Sequence, residues 1–368
     1  MKGSAEIRRT LTRKCAALGI PVSGFFELTP RCNLQCKMCY IRMTPQQMAP
    51  IGRERTAREW LELGRDARDA GMIFLLLTGG EPTIREDFPE IYEGLARMGL
   101  SISINTNATH LTPEIRSLWH RLPPAQVNVT LYGTCREDYG RLCGNPDAFY
   151  RVVEGLDWLR SEGFLIHLNT TMAPDNVHRW EQIEEFARSR GLALRMTTYC
   201  FPPVRREGCG DCLQPHRLSP ETAGGMIVRD MLWREGPEAL KARAQRIDTP
   251  LQNSCELEIG QPIQCGAGRA QFWVTWDGRM TPCGMLDRPV VRPFDAGFTQ
   301  AWEELKEKVS SIRLCPDCVN CEERHSCMNC AAVTLAETGR FDGKPEYMCR
   351  LNHAYRSTLK KFAACGEI

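Results

Sequence analysis

Apolar and polar positions along this chain fall into short blocks that switch between a strand period and a helix period from Gly24 onward. "GFFELT" (24–29) reads as a strand, and "TAREWLELGRDARDA" (56–70) as a helix opened by a Thr56/Glu59 capping box and stopped at Gly71. "MIFLLLT" (72–78) is a continuous apolar run, the pattern of a strand buried on both faces. The helix "EDFPEIYEGLARM", the strand "SISINT" (101–106), the short helix "TPEIRSLWHR" and the strand "QVNVTL" (126–131) follow. Residues 147–162 read as helix, 164–170 as strand, 178–190 as helix, and "LALRMTT" (192–198) as a sixth strand. A further helix is predicted over 219–234. "FWVTW", Asp277-Gly278 and "RMTPC" predict a β-hairpin.

Six strand–helix units at short spacing predict an α/β fold with a parallel sheet and helices outside, either a doubly wound sheet or an incomplete barrel. Functional loops of a barrel follow the C-terminal ends of its strands. The segments "TPRCNLQCKMCY", "TGGEP" and "NTNA" follow the first three strands, and so fall at one end of the sheet. From about residue 202 the alternation stops. "FPPVRREGCGDCLQPHR" reads as a long loop.

Composition changes this picture in one respect. The 368 residues carry a net charge of +2 with 25% charged residues, which speaks against nucleic-acid binding by bulk electrostatics. No window approaches twenty apolar residues, so no membrane span is expected, and the absence of a signal segment points to the cytoplasm. The 19 cysteines stand out. In a chain without secretory features they read as metal ligands rather than disulfides. A trio sits at Cys32, Cys36 and Cys39, and a second group crowds between Cys255 and Cys349.

Disulfides, a zinc site and an iron–sulfur cluster compete for the trio. Structural zinc takes four closed ligands, whereas three thiolates on a cluster leave one iron open for a substrate or cofactor. The spacing CxxxCxxC followed by Tyr40 resembles the signature of the radical S-adenosylmethionine (SAM) superfamily. The resemblance implies a partial (β/α)6 TIM-type barrel and a 4Fe–4S cluster on Cys32, Cys36 and Cys39, with the fourth position taken by SAM. It implies SAM contacts from Tyr40, Gly79, Gly80 and Glu81, with Glu81 offering a carboxylate to the amino group. Asn105, Thr106, Asn107, Thr130, Asn169 and Thr171 at the strand ends, and Arg141 toward the SAM carboxylate, complete the implied pocket. Each of these has a plainer reading as a turn, cap or surface residue.

The later cysteines run Cys265, twelve residues, Gly278, four residues, Cys283; then Cys318, two residues, Cys321, five residues, Cys327, two residues, Cys330; then Cys349. This resembles the seven-cysteine SPASM extension of radical SAM enzymes, except that two residues stand before Cys330 where three are usual. The resemblance implies one auxiliary 4Fe–4S cluster on Cys255, Cys265, Cys283 and Cys330 and a second on Cys318, Cys321, Cys327 and Cys349. Zinc is the rival metal for CxxC pairs. The roles of Cys200, Cys209, Cys212 and Cys315 stay open, and Arg205 and Arg206 are candidates for a substrate carboxylate.

The implied organisation is an N-terminal extension (1–23), the partial barrel (24–235), a linker (236–254), a small cysteine-rich SPASM domain with a β-hairpin (255–352) and a C-terminal tail (353–368). The implied activity is reductive cleavage of SAM and hydrogen abstraction, with a ribosomally made precursor peptide oxidised or crosslinked through a thioether or carbon–carbon bond. A small-molecule dehydrogenase or cofactor-biosynthesis enzyme is the alternative. Formylglycine formation is disfavoured, because Gly284 stands where that branch has an aspartate. The 31 residues before Cys32 leave no room for a leader-binding domain, so leader binding would need another surface. An external electron donor such as flavodoxin or ferredoxin is expected. No catalytic base is legible.

Overall fold

The structure is a computed structural model that describes residues 2–202, 215–249 and 265–366. Arg205, Arg206, Cys209, Cys212 and Cys255 lie outside the described residues. In chain order the elements are α1 (Lys2–Leu18), β1 (Ser23–Glu27), α2 (Pro45–Met48), α3 (Ala57–Asp69), β2 (Phe74–Thr78), α4 (Phe88–Arg97), β3 (Ser101–Thr106), α5 (Pro113–Arg121) and β4 (Gln126–Thr130). They continue with α6 (Arg136–Cys143), α7 (Ala148–Ser161), β5 (Ile166–Thr171), α8 (Trp180–Ser189), β6 (Ala193–Thr197), α9 (Pro220–Glu235) and α10 (Pro237–Arg246). Beyond the second undescribed stretch come β7 (Gln271–Val274), β8 (Met280–Thr281), α11 (Pro293–Ala296), α12 (Phe298–Ser310), α13 (Pro316–Val319), α14 (Ala331–Thr338) and α15 (Glu346–Cys365).

Among the described residues these strands form one sheet in the order β6-β5-β4-β3-β2-β1-β7-β8. β1 to β5 pair in parallel with their sequence neighbours, and β7 pairs in parallel with the outer side of β1. The reason for that last pairing is aromatic. Phe272 of β7 stands 6.4 Å from Phe26 of β1 and 4.9 Å from Phe298 of α12, and Phe26 lies 5.0 Å from Trp60 of α3. Phe26, Trp60, Phe272 and Phe298 are all buried. Each such ring contributes about 1.5–3 kcal/mol by leaving water.

Local signals act as the sequence predicts in α3. The Thr56 hydroxyl accepts from the Glu59 amide at 3.3 Å, and the Glu59 carboxylate accepts from the Thr56 amide at 2.8 Å. β2 departs from the double-sided burial expected of "MIFLLLT": Phe74 and Leu76 are only half-buried. The predicted hairpin forms. The Thr275 amide donates to the Arg279 carbonyl at 2.8 Å around Gly278, whose φ of +93° needs a residue without Cβ. Its first strand is a full member of the main sheet.

The chain divides into two compact units. The first comprises Met1–Thr170, His178–Arg195 and Cys265–Val309. The second comprises Thr171–Val177, Met196–Gln264 and Ser310–Ile368. The N-terminal extension forms α1, the linker contains α10, and the C-terminal tail is the last three turns and more of α15, because Tyr355, Leu359 and Phe362 continue its apolar face into a core with Val228 and Leu240. In this second unit α15 and α9 pack closely at Gly224, where an added Cβ would stand 2.5 Å from the Leu351 carbonyl oxygen.

Candidate active site at the strand ends

The three loops after β1, β2 and β3 are locked together by backbone and by one carboxylate. The Gly80 amide donates to the Thr29 carbonyl at 2.7 Å, and the Glu81 amide to the Arg31 carbonyl at 2.9 Å. A Cβ on Gly80 would stand 2.2 Å from the Arg31 oxygen, and one on Gly79 would stand 2.4 Å from the Thr29 oxygen. The glycine pair therefore lets the second loop run against the cysteine loop.

Glu81 departs from its expected role. Its carboxylate is fully buried and accepts from the Thr83 amide (3.1 Å), the Thr83 hydroxyl (2.6 Å), the Thr106 hydroxyl (2.8 Å) and the Asn107 amide (2.6 Å). Both oxygens are spent on the loops after β2 and β3, so Glu81 is a loop tie rather than a group presented to a ligand. Burial pushes its pKa up, opposed by the donors of Thr83. Asn107 carries the tie onward: its side-chain amide donates to Asn33 at 2.8 Å and to the Cys32 sulfur at 3.7 Å.

The trio sits on this platform. Each sulfur already faces donors. The Leu34 amide points at Cys32 (3.4 Å) and the Arg42 amide at Cys39 (3.3 Å), while the Tyr132 hydroxyl lies close enough to Cys36 to favour its thiolate, opposed by the neighbouring Cys143. Burial first, then Glu81, pushes the Cys32 thiol up to about 12. The Cys143 contact and burial raise Cys36 well above its ordinary value. A thiolate here calls for a bound cation to offset its lost hydration. Donors aimed at three neighbouring sulfurs are the surroundings that anionic cluster ligands take. The donor set therefore fits an iron–sulfur cluster on Cys32, Cys36 and Cys39. Tyr40, beside them, is held near Cys39 and Cys283, and burial raises its hydroxyl.

The remaining expected pocket residues divide. Asn105 is engaged within the sheet. Its amide donates to Thr78 at 3.4 Å and its oxygen accepts from Asn128 at 2.9 Å, forming a polar line across the strand ends. Thr106 ties to Glu81. Thr130, Asn169 and Thr171 stand half-buried at the ends of β4 and β5. Arg141 is exposed and pairs with Asp138 at 2.9 Å. Asp138, itself buried, also accepts from the Thr134 amide and meets Arg179 at 3.3 Å. Sequence reasoning missed Tyr132, Cys143 and the Asp138–Arg179 pair. The signal was the short segment "REDYGRLCG", whose closing glycine takes φ +69° as a helix stop.

In the second unit Cys318, Cys327 and Cys349 are raised, each in part by the charge of neighbouring cysteines among Cys315, Cys321, Cys327 and Cys349. Burial is the leading cause at Cys318 (about 12) and Cys327 (about 11). The Asn329 amide group donates to the Cys318 sulfur at 3.5 Å. Buried Cys315 lies beside Cys318. Cys265 and Cys283 belong to the first unit and Cys330 to the second. Among the described residues no group of three or more His, Cys, Asp or Glu side chains could hold a metal ion as the side chains stand; cluster ligands surround a body of several atoms rather than converging on one point. Cys200 is buried against the Met172 carbonyl at 3.8 Å. No helix among the described residues is long and apolar enough to cross a membrane.

Residues 26–187 match the radical SAM superfamily. An AdoMet-dependent heme synthase of Methanosarcina barkeri is 28% identical over 336 residues, covering 86% of this chain and 93% of its own. A PqqA peptide cyclase of Bradyrhizobium diazoefficiens is 26% identical over 267 residues, covering 72% and 67%. The crystal structure of Streptococcus suis SuiB bound to precursor peptide SuiA superposes with a TM-score of 0.66 at 16% identity, covering 90% of this chain and 76% of that one. That likeness establishes the partial-barrel fold.

Proposed function

We propose that this chain, whose residues 26–187 match the radical SAM superfamily, cleaves SAM reductively and oxidises a ribosomally synthesised peptide at an unactivated carbon. The observation that carries the radical chemistry is the loop after β1: three cysteine sulfurs on one loop, each met by hydrogen-bond donors, tied by Glu81 to the loops that follow β2 and β3. Cys32, Cys36 and Cys39 hold the cluster. When bound, a reduced 4Fe–4S cluster supplies the electron that splits SAM into methionine and a 5′-deoxyadenosyl radical. Gly79, Gly80 and Glu81 keep the platform rigid, Thr130 and Asn169 lie at the ends of β4 and β5, and Arg141 on the helix after β4 would reach the SAM carboxylate.

The radical takes one hydrogen atom from the substrate and becomes 5′-deoxyadenosine. A net two-electron oxidation then requires the substrate to release one more electron and one proton. We assign the electron to an auxiliary 4Fe–4S cluster that Cys318, Cys321, Cys327 and Cys349 would hold. The proton passes to water. An external flavodoxin or ferredoxin supplies the initiating electron.

The peptide substrate is favoured by the peptide cyclases among the relatives and by the precursor-bound structural neighbour. A second reading, a small molecule of cofactor biosynthesis, is favoured by the heme synthase alignment, which spans 93% of that relative. One experiment separates them. Anaerobically reconstituted chain, reduced in the presence of SAM, is expected to release 5′-deoxyadenosine, and Cys32→Ala/Cys36→Ala/Cys39→Ala to release none. Mass spectrometry of host extracts with and without the intact trio then looks for a peptide lighter by two hydrogens. A changed small metabolite with unchanged peptides selects the second reading. No 5′-deoxyadenosine from the wild type defeats both.

A further inference from the structure

The second unit carries a groove of about 510 Å³ between α9, α10, α15 and the loop around Cys327. Two helices build its apolar surface in the same way. Ile227 and Met231 lie one turn apart on α9, and Leu351 and Tyr355 one turn apart on α15. Ile227 and Met231 pack against the buried core that Tyr355 shares with Val228, Leu240 and Leu359. Met328, 55% exposed, adds a further apolar side chain to the lining.

Hydrogen bonds hold the polar wall in place. The Ser326 hydroxyl accepts from Arg356 at 2.9 Å, and the Asn352 amide group donates to the Glu323 carboxylate at 3.0 Å. A groove fixed this way keeps its shape without an occupant. Its charge has one sign. Arg243 and Arg246, three residues apart on α10, both line it, and among the described residues no Asp or Glu does. Arg243 pairs with Glu235 at 2.9 Å. The exposed Arg246 guanidinium donates to the Ala242 carbonyl at 3.3 Å and meets no carboxylate among the described residues.

We propose that this groove docks an acidic amphipathic helix of the precursor peptide, its apolar side chains against Ile227, Met231, Leu351 and Tyr355 and its carboxylates on Arg243 and Arg246. The proposal rests on the reading of the substrate as a peptide. An apolar stripe with side chains at i, i+4 on both walls matches the apolar face of a helix laid between them. Cations at i, i+3 along one rim match carboxylates repeated at the same spacing beside that face. The unbranched side chains of Met231 and Met328 repack around whichever apolar residues arrive.

The test is fluorescence anisotropy of the full-length, anaerobically reconstituted protein with a short fluorescein-labelled helical peptide of Leu, Ala and Glu. A second peptide carries Lys in place of every Glu. Saturable binding of the Glu peptide is expected, weakened by added salt, with the Lys peptide bound far less. Arg246→Glu, an exposed position, is expected to weaken the Glu peptide about fivefold and to strengthen the Lys peptide. Met231→Ala is expected to weaken both. Equal binding of the two peptides, or affinities that neither variant moves, overturns the proposal. So does an absence of binding, which is the outcome when another part of this chain or a second copy fills the groove; light scattering shows the second copy as a dimer that Met231→Ala dissociates. The peptide reading fails separately. Wild type and Arg246→Glu are expected to release 5′-deoxyadenosine equally when no peptide is present, so loss of that release strikes the radical chemistry and leaves the anisotropy unchanged. A changed small metabolite with unchanged peptides in host extracts strikes the substrate class, and with it the occupant proposed for the groove.

Discussion

Glu81 accepts four hydrogen bonds with no exposed surface, two from Thr83 and one each from Thr106 at the end of β3 and Asn107 just after it. Glu81→Gln places an amide where two oxygens accepted, leaving a donor facing donors. The expected cost is about 1–3 kcal/mol, read as a lower urea midpoint with an unchanged m-value, and less iron retained per chain after reconstitution. Full stability and full iron would refute the tie. The cysteine trio was legible because its three members share one loop. The role of Glu81 was not, because its partners Thr106 and Asn107 are brought to it by strand pairing, which leaves no trace in local spacing. The hydrogen bonds of Asn105 were hidden for the same reason: its partners Thr78 and Asn128 lie on the two flanking strands.

The helix α3 shows what a local signal determines. Thr56 and Glu59 cap its start, and Arg53 donates to the Glu59 carboxylate at 2.8 Å, which, as the leading cause, holds that carboxyl well below its usual range. A depressed carboxyl contributes stability above its unfolded value and loses that contribution as pH falls through the folded value. The stability gap between wild type and Glu59→Gln is therefore expected to be widest at neutral pH and to narrow below about pH 4.3, as chemical denaturation at stepped pH would record. A gap constant down to pH 2 would contradict the pairing. Thr56→Ala should cost about 1 kcal/mol at neutral pH. The strands β1 to β6 were legible from their apolar runs and the helices between them. α6 was not: it spans eight residues with no side-chain cap, and its apolar residues Tyr139, Leu142 and Cys143 are too few to establish a period. Gly80→Ala belongs to this scale as well. Its Cβ would collide with the Arg31 carbonyl, forcing the two loops apart at about 1–3 kcal/mol, with a matching loss of bound iron.

The division into two compact units makes stability a property to be measured twice. Gly224 lies where α9 meets α15, and an added side chain would strike the Leu351 carbonyl and the Tyr355 amide. Gly224→Leu is expected to lower one calorimetric transition and leave a second in place; a single transition moved as a whole would mean the units unfold together. α15 as one helix through residue 365 was not legible in the sequence, because the apolar spacing of Leu351, Tyr355, Leu359 and Phe362 is interleaved with polar and charged residues. Nor did it place β7, whose partner β1 lies far back in the chain. That pairing has a consequence during synthesis. Ser23 of β1 waits for Gln271 of β7, roughly 250 residues later. At 5–20 residues per second the ribosome takes on the order of ten to fifty seconds to deliver it. Through that interval the strand that leads into the cysteine loop has one bare edge, open to a chaperone or to a neighbouring nascent chain. Cells short of chaperone should accumulate aggregated chain before they accumulate chain that lacks iron.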